Sequence, residues 1–300
     1  NHDNLNTSQV VDMQEMFYSA GHDVTSFNLD LSGWNTANVK NMYYMFDSAG
    51  YNATTWNING LSSWDVSGVS NMEGMFSRAG LRATTIDIDL HGWTISSAKS
   101  LSGMFNEFGL YTFNPNLKDW DVNGVTDMSN MFFSAGSATS SFNLDLSSWK
   151  NTGKVTNMGY AFYLNGEDAT TFKIDLSGWN TGRVTNMERM FDNAGRDASD
   201  LWEIAGLNSW NTSKVTNMSY MFNNAGRNAP TFEFDFSGWN TSNVKYMGGM
   251  FSDAGYNATT WSVGDISGWS VSQVQDIPRL KYFINIDQAN IDKTKLPWRN

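Results

Sequence analysis

Acidic and amide side chains recur along this sequence at a regular distance, and they are the residues whose type and spacing could support chemistry. About every 29 residues, one of them ends a short stretch in which apolar and polar residues alternate. The members of this acidic column are Asp30, Asn59, Asp89, Asn116, Asp145, Asp175 and Asp235. Because carboxylate and amide oxygens are the ligands that Ca²⁺ prefers, the column is a candidate binding surface for a cation or a basic partner.

Asp145 and Asp175 are the best candidates for a metal site, since they fall in consecutive repeats. Parallel strands lie about 4.8 Å apart, so the two carboxylates would be neighbouring like charges. A bound Ca²⁺ would relieve this repulsion. Alternatively, the carboxylates bond to nearby turns and remain solvated, where two charges repel by only about 1 kcal/mol. The sequence contains no D-x-D-x-D-G calcium loop, and no other cofactor is indicated.

The composition excludes several classes of chemistry. The chain has no Cys and 3 His, so thiol catalysis, disulfide frameworks and multi-histidine metal sites are not expected. The acidic pairs are periodic, so none is singled out as a general acid beside a base, and we expect no enzymatic activity. The net charge of −11 argues against a nucleic-acid partner, whose backbone is bound by Lys and Arg clusters. No stretch approaches 18 apolar residues, so no membrane insertion is expected.

The acidic column belongs to a repeat that runs through the chain. Tryptophans recur 27 to 31 residues apart, at Trp34, Trp64, Trp93, Trp120, Trp149, Trp179, Trp210, Trp239 and Trp269. All 16 methionines follow the same period, mostly as pairs three residues apart, and each pair or single methionine is followed by a phenylalanine and then a glycine. Such regularity indicates a repeat array.

One repeat shows how the elements are expected to form. Residues 172–176 alternate apolar and polar side chains, which predicts a strand with one buried face. Val184, Met187 and Met190 then follow at helical spacing, which predicts a short helix. Gly195 would end that helix, because glycine adopts the left-handed conformation without a Cβ penalty.

The predicted fold is therefore an α/β, right-handed solenoid similar to leucine-rich repeats, with one parallel sheet. It would contain about nine strand–turn–short-helix units of about 29 residues each. We expect a single domain over residues 1–300, with repeats over 5–275 and a C-terminal cap over 276–300 whose residues 283–287 form a last strand. Local defects are expected where the loop before residues 113–117 is two residues short, and at the inserted Lys150.

Two further sets of residues repeat with the array. An Asn or Asp stands two residues after most of the valine slots, for example Asn157, Asn186 and Asn217, and a structural role in capping chain bends is favoured. Tyrosines such as Tyr44 and Tyr220 stand between the methionine slots. Exposed aromatic rings beside Asn and Asp suit carbohydrate recognition, although single exposed aromatic residues need no special explanation.

The repeat resembles the BspA-like bacterial surface-protein family, which also includes mycoplasma-type lipoproteins. The resemblance rests on residues 142–149 (FNLDLSSW) followed by 154–158 (KVTNM), on 237–244 (SGWNTSNV) and on 185–191 (TNMERMF), and covers roughly residues 5–275. It implies an extracellular or cell-surface protein that adheres to a host or neighbouring cell. The Ala-Gly-x-x-Ala-Thr return loop departs from the shorter family repeat, and no catalytic residues are defined for the family.

The expected function is a non-enzymatic binding or adhesion module, because repeat arrays offer extended surfaces without needing a pocket. Its partner would be a protein or glycan of a host or neighbouring cell. The alternative is a structural protein that assembles with itself, end to end or side by side, into filaments or a surface layer. The array begins midway through a repeat at Leu5, which favours this alternative and suggests an upstream segment.

Overall fold

The computed structural model describes residues 5–149 and 151–276, which form about eight turns of a solenoid. Each regular turn contributes one short strand, because its apolar residues alternate with polar ones and only one face is buried. The strands are β1 (Ser26–Asp30), β2 (Thr55–Asn59), β3 (Thr85–Ile88), β4 (Ser141–Asp145), β5 (Thr171–Asp175), β6 (Leu201–Ala205), β7 (Thr231–Glu233) and β8 (Thr260–Ser262). The predicted repeat solenoid is confirmed, but its count of nine units is wrong.

Within each sheet, consecutive strands pair in parallel, with equivalent residues of neighbouring turns side by side. Phe27 pairs with Trp56, and Phe142 pairs with Phe172. The single predicted sheet is divided, however, into β1–β2–β3, β4–β5–β6 and β7–β8. One division lies at residues 113–117, after the short return loop, where an isolated bridge between Asp89 and Asn116 replaces a strand pair.

The second division lies between β6 and β7, and Pro230 explains it. In the regular turns, the residue before the strand donates its backbone N–H to the preceding turn, as Asp200 does to the Thr170 carbonyl at 2.9 Å. Pro230 occupies this position in the next turn and has no N–H to donate. The ladder between the two turns therefore lacks its first hydrogen bond.

The predicted short helices are wrong, and with them the α/β class, because the described residues form a parallel-strand β-solenoid with almost no helix. Over residues 42–50 the chain forms successive tight turns, such as Met45 N–H to the Met42 carbonyl at 3.2 Å. Alternate N–H groups point along the solenoid axis, as from Phe46 to the Met75 carbonyl at 2.9 Å. The left-handed φ of Tyr44, +50°, interrupts any helix. In the described ranges, the helices are short 3₁₀ turns at Leu61–Ser63, Thr152–Lys154 and Leu207–Ser209.

The glycine after each phenylalanine does adopt the left-handed conformation, but it closes this series of turns and not a helix. Gly195 has a φ of +54°, and a Cβ built on it would lie 2.4 Å from Cγ of Phe172. The glycine slot thus lets the ring from the strand pack directly against the backbone.

Aromatic columns fill the core along the whole array. Stacked phenylalanine rings of neighbouring turns lie 5.2 to 5.6 Å apart, from Phe17 to Phe251. The nine tryptophans of the repeat are all buried. Most of their indole N–H groups donate to a carbonyl of the preceding turn, for example Trp120 to Leu90 at 2.8 Å. Stacking and hydrogen bonding therefore join each turn to its neighbours.

Some sequence predictions concern positions outside the described residues. These are the inserted Lys150, the strand at residues 283–287 and all of the C-terminal cap except Asp276. The right-handed sense of the solenoid and the single domain over residues 1–300 remain predictions.

Candidate functional site

The acidic column lies along the outward edge of the strands, at or just after their ends, and most of its members cap a local turn. Their side-chain oxygens accept the backbone N–H of the residue two positions on, at 2.9 to 3.4 Å. The residues that do so are Asp30, Asp89, Asn116, Asp145, Asp175 and Asp235. Asn59 pairs with Asp30 at the end of the β1–β2 ladder. The column is thus a set of Asx turns, which stabilise the chain reversal after each strand.

These hydrogen bonds also set the ionisation of the carboxylates. The hydroxyl and N–H of Ser147 lower the pKa of Asp145, since both groups bond to its charged form. The same arrangement with Ser32 lowers the pKa of Asp30, and with Ser237 that of Asp235. Local hydrogen bonds thus favour the charged form of these three carboxylates.

Asp145 and Asp175 are paired in register, as the sequence suggested. Lys118 and Lys173 add a positive field that further lowers the pKa of Asp145. In the described part of the chain, no three or more carboxylate, imidazole or thiol side chains gather to hold a metal ion. Two carboxylates supply fewer ligands than the six to eight oxygens that Ca²⁺ takes, and the calcium hypothesis stays a prediction.

The asparagine and aspartate residues that stand two positions after the valine slots, here called the amide column, form a ladder within the protein. The Asn186 side-chain NH₂ donates to Oδ1 of Asn157 at 3.0 Å, and Asn157 donates to Oδ2 of Asp127 at 3.3 Å. Asn217 donates to the Glu188 carboxylate at 3.1 Å. This ladder joins successive turns, as the structural interpretation of the sequence predicts.

The tyrosines between the methionine slots pack along the solenoid axis. The Tyr44 ring lies over Gly74, where a Cβ would come within 2.5 Å of it. The Arg189 guanidinium lies 4.4 Å from the centre of the Tyr220 ring and pairs with Asp192. Burial raises the pKa of Asp192. These contacts occupy ring faces that a carbohydrate platform would leave open, so they indicate a structural role.

Each strand has a second outward position, at its third residue, that the sequence pattern did not single out. We call it the middle column; its residues are Asn28, Asn57, Asp87, Asn143, Lys173, Glu203, Glu233 and Ser262. Most are exposed, and neutral, basic and acidic side chains follow one another along it. Lys173 and Glu203 form a salt bridge of 3.1 Å. The signal that could have found this column is its variation within an otherwise regular repeat.

A cleft of about 480 Å³ opens on the strand face where β6 and β7 fail to pair. We call it the β6–β7 cleft. Trp202 and Phe234 contribute aromatic surface, and Glu203 and Glu233 lie on its two sides. At one end, Oδ1 of Asn208 accepts the backbone N–H of Asp235 at 3.4 Å. The cleft therefore combines apolar surface, carboxylates and two strand edges that belong to different sheets.

No helix within residues 5–149 and 151–276 is long and apolar enough to cross a bilayer.

Comparison with known proteins gives a family for the whole repeat array. No curated protein and no solved structure matches the sequence significantly. One family matches four times in overlapping tandem segments, at residues 1–80, 50–139, 108–204 and 196–295. Its description is "Mycoplasma protein of unknown function, DUF285". Since these matches span nearly the entire chain, the chain belongs to the DUF285 family of mycoplasma repeat proteins.

Proposed function

We propose that this chain is a non-enzymatic binding or adhesion module that acts outside the cell or at its surface. Its strand face contacts a protein or glycan of a host or neighbouring cell. The observation that carries this proposal is the middle column, a line of outward side chains that vary from turn to turn. The repeated polar side chains next to it mostly cap turns or join neighbouring turns, so the variable ones are available for a partner.

The repeat architecture supports this function. A solenoid held by contacts between neighbouring turns presents a long surface at little entropic cost, which suits recognition of an extended partner. The resemblance of residues 142–149 and 154–158 to BspA-like surface-protein repeats points the same way. The net charge of −11 disfavours nucleic acid as a partner.

The test uses middle-column residues outside the β6–β7 cleft. A variant carrying Asn28→Ala, Asp87→Ala and Asn143→Ala removes three outward side chains that lie on exposed strand positions. The purified protein and the variant are compared on an array of glycans and extracellular-matrix proteins. We expect the protein to bind one class of probe, and the variant to bind it at least tenfold more weakly with an unchanged melting temperature.

The matched control carries Asn123→Ala, Arg183→Ala and Lys214→Ala. These residues are also exposed, but they lie on the connection between the tryptophan and valine slots. Equal binding by both variants, or a loss confined to the control, would reject the strand face as the contact surface.

Self-assembly is the second candidate function, favoured by exposed apolar residues in the first described turn. Val11, Met16 and Tyr18 are 54%, 42% and 53% exposed. Such a patch suits contact with another apolar surface, here one on a second copy of the chain. Light scattering over a range of protein concentrations separates the two functions. A monomer at all concentrations favours the binding module, and polymers that a Met16→Lys substitution disperses favour assembly.

A further inference from the structure

The β6–β7 cleft exists because the backbone ladder is interrupted there, and the surrounding turns show what is missing. The backbone N–H of Thr259 donates to the Pro230 carbonyl at 3.0 Å, so the ladder continues normally on the far side of Pro230. On the near side, Pro230 has no backbone N–H to donate to the Asp200 carbonyl. The cores of the two turns remain in contact, since the Trp202 and Phe232 rings stack at 5.1 Å. The gap is therefore a feature of the strand face and leaves the core intact.

The sides of the cleft favour a particular chemistry. Leu201 stands at its edge, where most turns carry Ser or Thr, and is 44% exposed. Together with Trp202 and Phe234 it offers an apolar path into the cleft. Glu203 pairs with Lys173 at 3.1 Å, whereas Glu233 forms no salt bridge with any other described residue. Only one of the two carboxylates is therefore paired with a lysine, and the cleft retains a net negative charge.

We propose that the β6–β7 cleft binds an extended basic segment of a partner protein through a Lys or Arg side chain. The apolar stem of such a side chain packs against Leu201 and Phe234, while its cationic head lies between Glu203 and Glu233. The adjacent strand edges provide backbone hydrogen-bonding groups, as in partners that add a strand to a sheet. The acidic charge of the chain favours a basic occupant over an acidic one. This inference rests on the proposed binding function and names the partner class.

The experiment measures binding of a fluorescent peptide of alternating threonine and lysine to the full chain. An otherwise identical peptide with glutamate in place of lysine is the negative probe. Fluorescence anisotropy should show saturable binding of the lysine peptide only. The Glu203→Gln/Glu233→Gln variant removes the carboxylates and should weaken binding at least tenfold. Glu73 does not line the cleft, so a Glu73→Gln variant should bind the peptide as the unaltered protein does.

Pro230→Thr separates the cleft from simple charge attraction, because it leaves every charge in place. Threonine supplies the missing N–H, so the ladder between β6 and β7 can form and the cleft should close. Hydrogen exchange should then show slower exchange of amides in β6 and β7, and peptide binding should fall at least tenfold. If hydrogen exchange in this variant is unchanged, the substitution has not closed the cleft. Peptide binding by the Glu203→Gln/Glu233→Gln variant then decides whether the proposal holds.

Several outcomes would overturn the proposal. Equal binding of the lysine peptide by all variants would mean attraction to the acidic surface in general, and no binding would mean that the occupant is not basic. A dimer of the unaltered chain that Pro230→Thr dissociates would identify a second copy as the occupant. A further outcome is that the Asn28→Ala, Asp87→Ala and Asn143→Ala variant loses binding to the glycans and matrix proteins, while the unaltered protein does not bind the lysine peptide. This result would support the strand face as a contact surface and refute the basic occupant.

Discussion

At the scale of single residues, the repeated polar side chains are used by the fold itself. Asp145 illustrates this, because its carboxylate accepts both the N–H and the hydroxyl of Ser147, at 3.0 and 2.6 Å. A sequence pattern shows that an aspartate recurs, but not whether its oxygens face a turn two residues on or a ligand. Under the proposed binding function, the side chains that would serve a partner are those of the middle column, the strand position where the repeat varies.

The pKa of Asp145 tests this account. We expect Ser147→Ala to raise the pKa of Asp145 towards its ordinary value, because the largest lowering contribution comes from the Ser147 hydroxyl. A carboxyl whose pKa is lowered by folding stabilises the protein above the unfolded-state pKa, and this contribution is lost as the pH falls through the folded-state pKa. The variant should therefore lose less stability on acidification than the unaltered protein. Carboxyl-carbon NMR titration measures the pKa directly.

Ser242→Ala is the control for this titration, since the backbone N–H of Ser242 donates to the side chain of Asn240, which is an amide and not a carboxylate. It should leave the Asp145 titration unchanged. A similar pKa in the Ser147→Ala variant and the unaltered protein would show that the Ser147 hydroxyl is not what lowers the pKa of Asp145, and would leave the backbone N–H and the lysines as its causes.

At the scale of elements, the sequence predicts strands well because a two-residue period has one structural interpretation. The predicted helix fails because two structures bury the same positions. Met42, Met45, Phe46 and Ala49 fit one face of a helix, and they are equally buried by successive turns that reverse at Tyr44 and at Ser48. The distinction depends on hydrogen bonds to neighbouring turns, which a local pattern does not contain. Pro230 was visible in the sequence, but its effect on the sheet requires knowing the ladder it interrupts.

The left-handed slots of these turns give a prediction about stability. Leu164 has a φ of +59°, whereas the equivalent slot in the two following turns holds Asn193 and Asn224. Leucine is strained there and asparagine tolerates the conformation. We expect Leu164→Asn to raise the free energy of unfolding by up to about 1 kcal/mol, measured by urea denaturation.

Leu201→Asn provides the matched comparison, because Leu201 is a half-exposed leucine in strand β6. Asparagine is disfavoured in strands, so this change should lower the free energy of unfolding. If both substitutions destabilise the protein to the same degree, the left-handed turns are not a feature of residues 158–166, and a helix regains support. Far-ultraviolet circular dichroism without the double minimum of α-helices would independently favour the turns.

At the scale of the whole molecule, the array is stabilised turn by turn. Trp120 stacks on Trp93 at 5.9 Å and on Trp149 at 5.3 Å, and its indole N–H donates to the preceding turn. Contacts of this kind join nearest neighbours, so stability in such arrays is close to a sum over turns and their interfaces. A rigid array also keeps the middle column in line over many turns, which is the property that the proposed binding function needs.

Trp120→Ala tests whether stability is local. Removing a fully buried indole should cost about 3 to 5 kcal/mol, and Tyr111→Ala, at an aromatic residue that is 50% exposed, should cost far less. In the Trp120→Ala variant, hydrogen exchange should accelerate most in the turns that carry Trp93 and Trp149, and least in β7 and β8, because each turn contacts only its neighbours. Uniform acceleration from β1 to β8 would instead mean that the array unfolds as one cooperative unit. In that case a destabilising substitution at any turn would act on the whole strand face, and a contact residue would be recognised by weaker binding with an unchanged melting temperature.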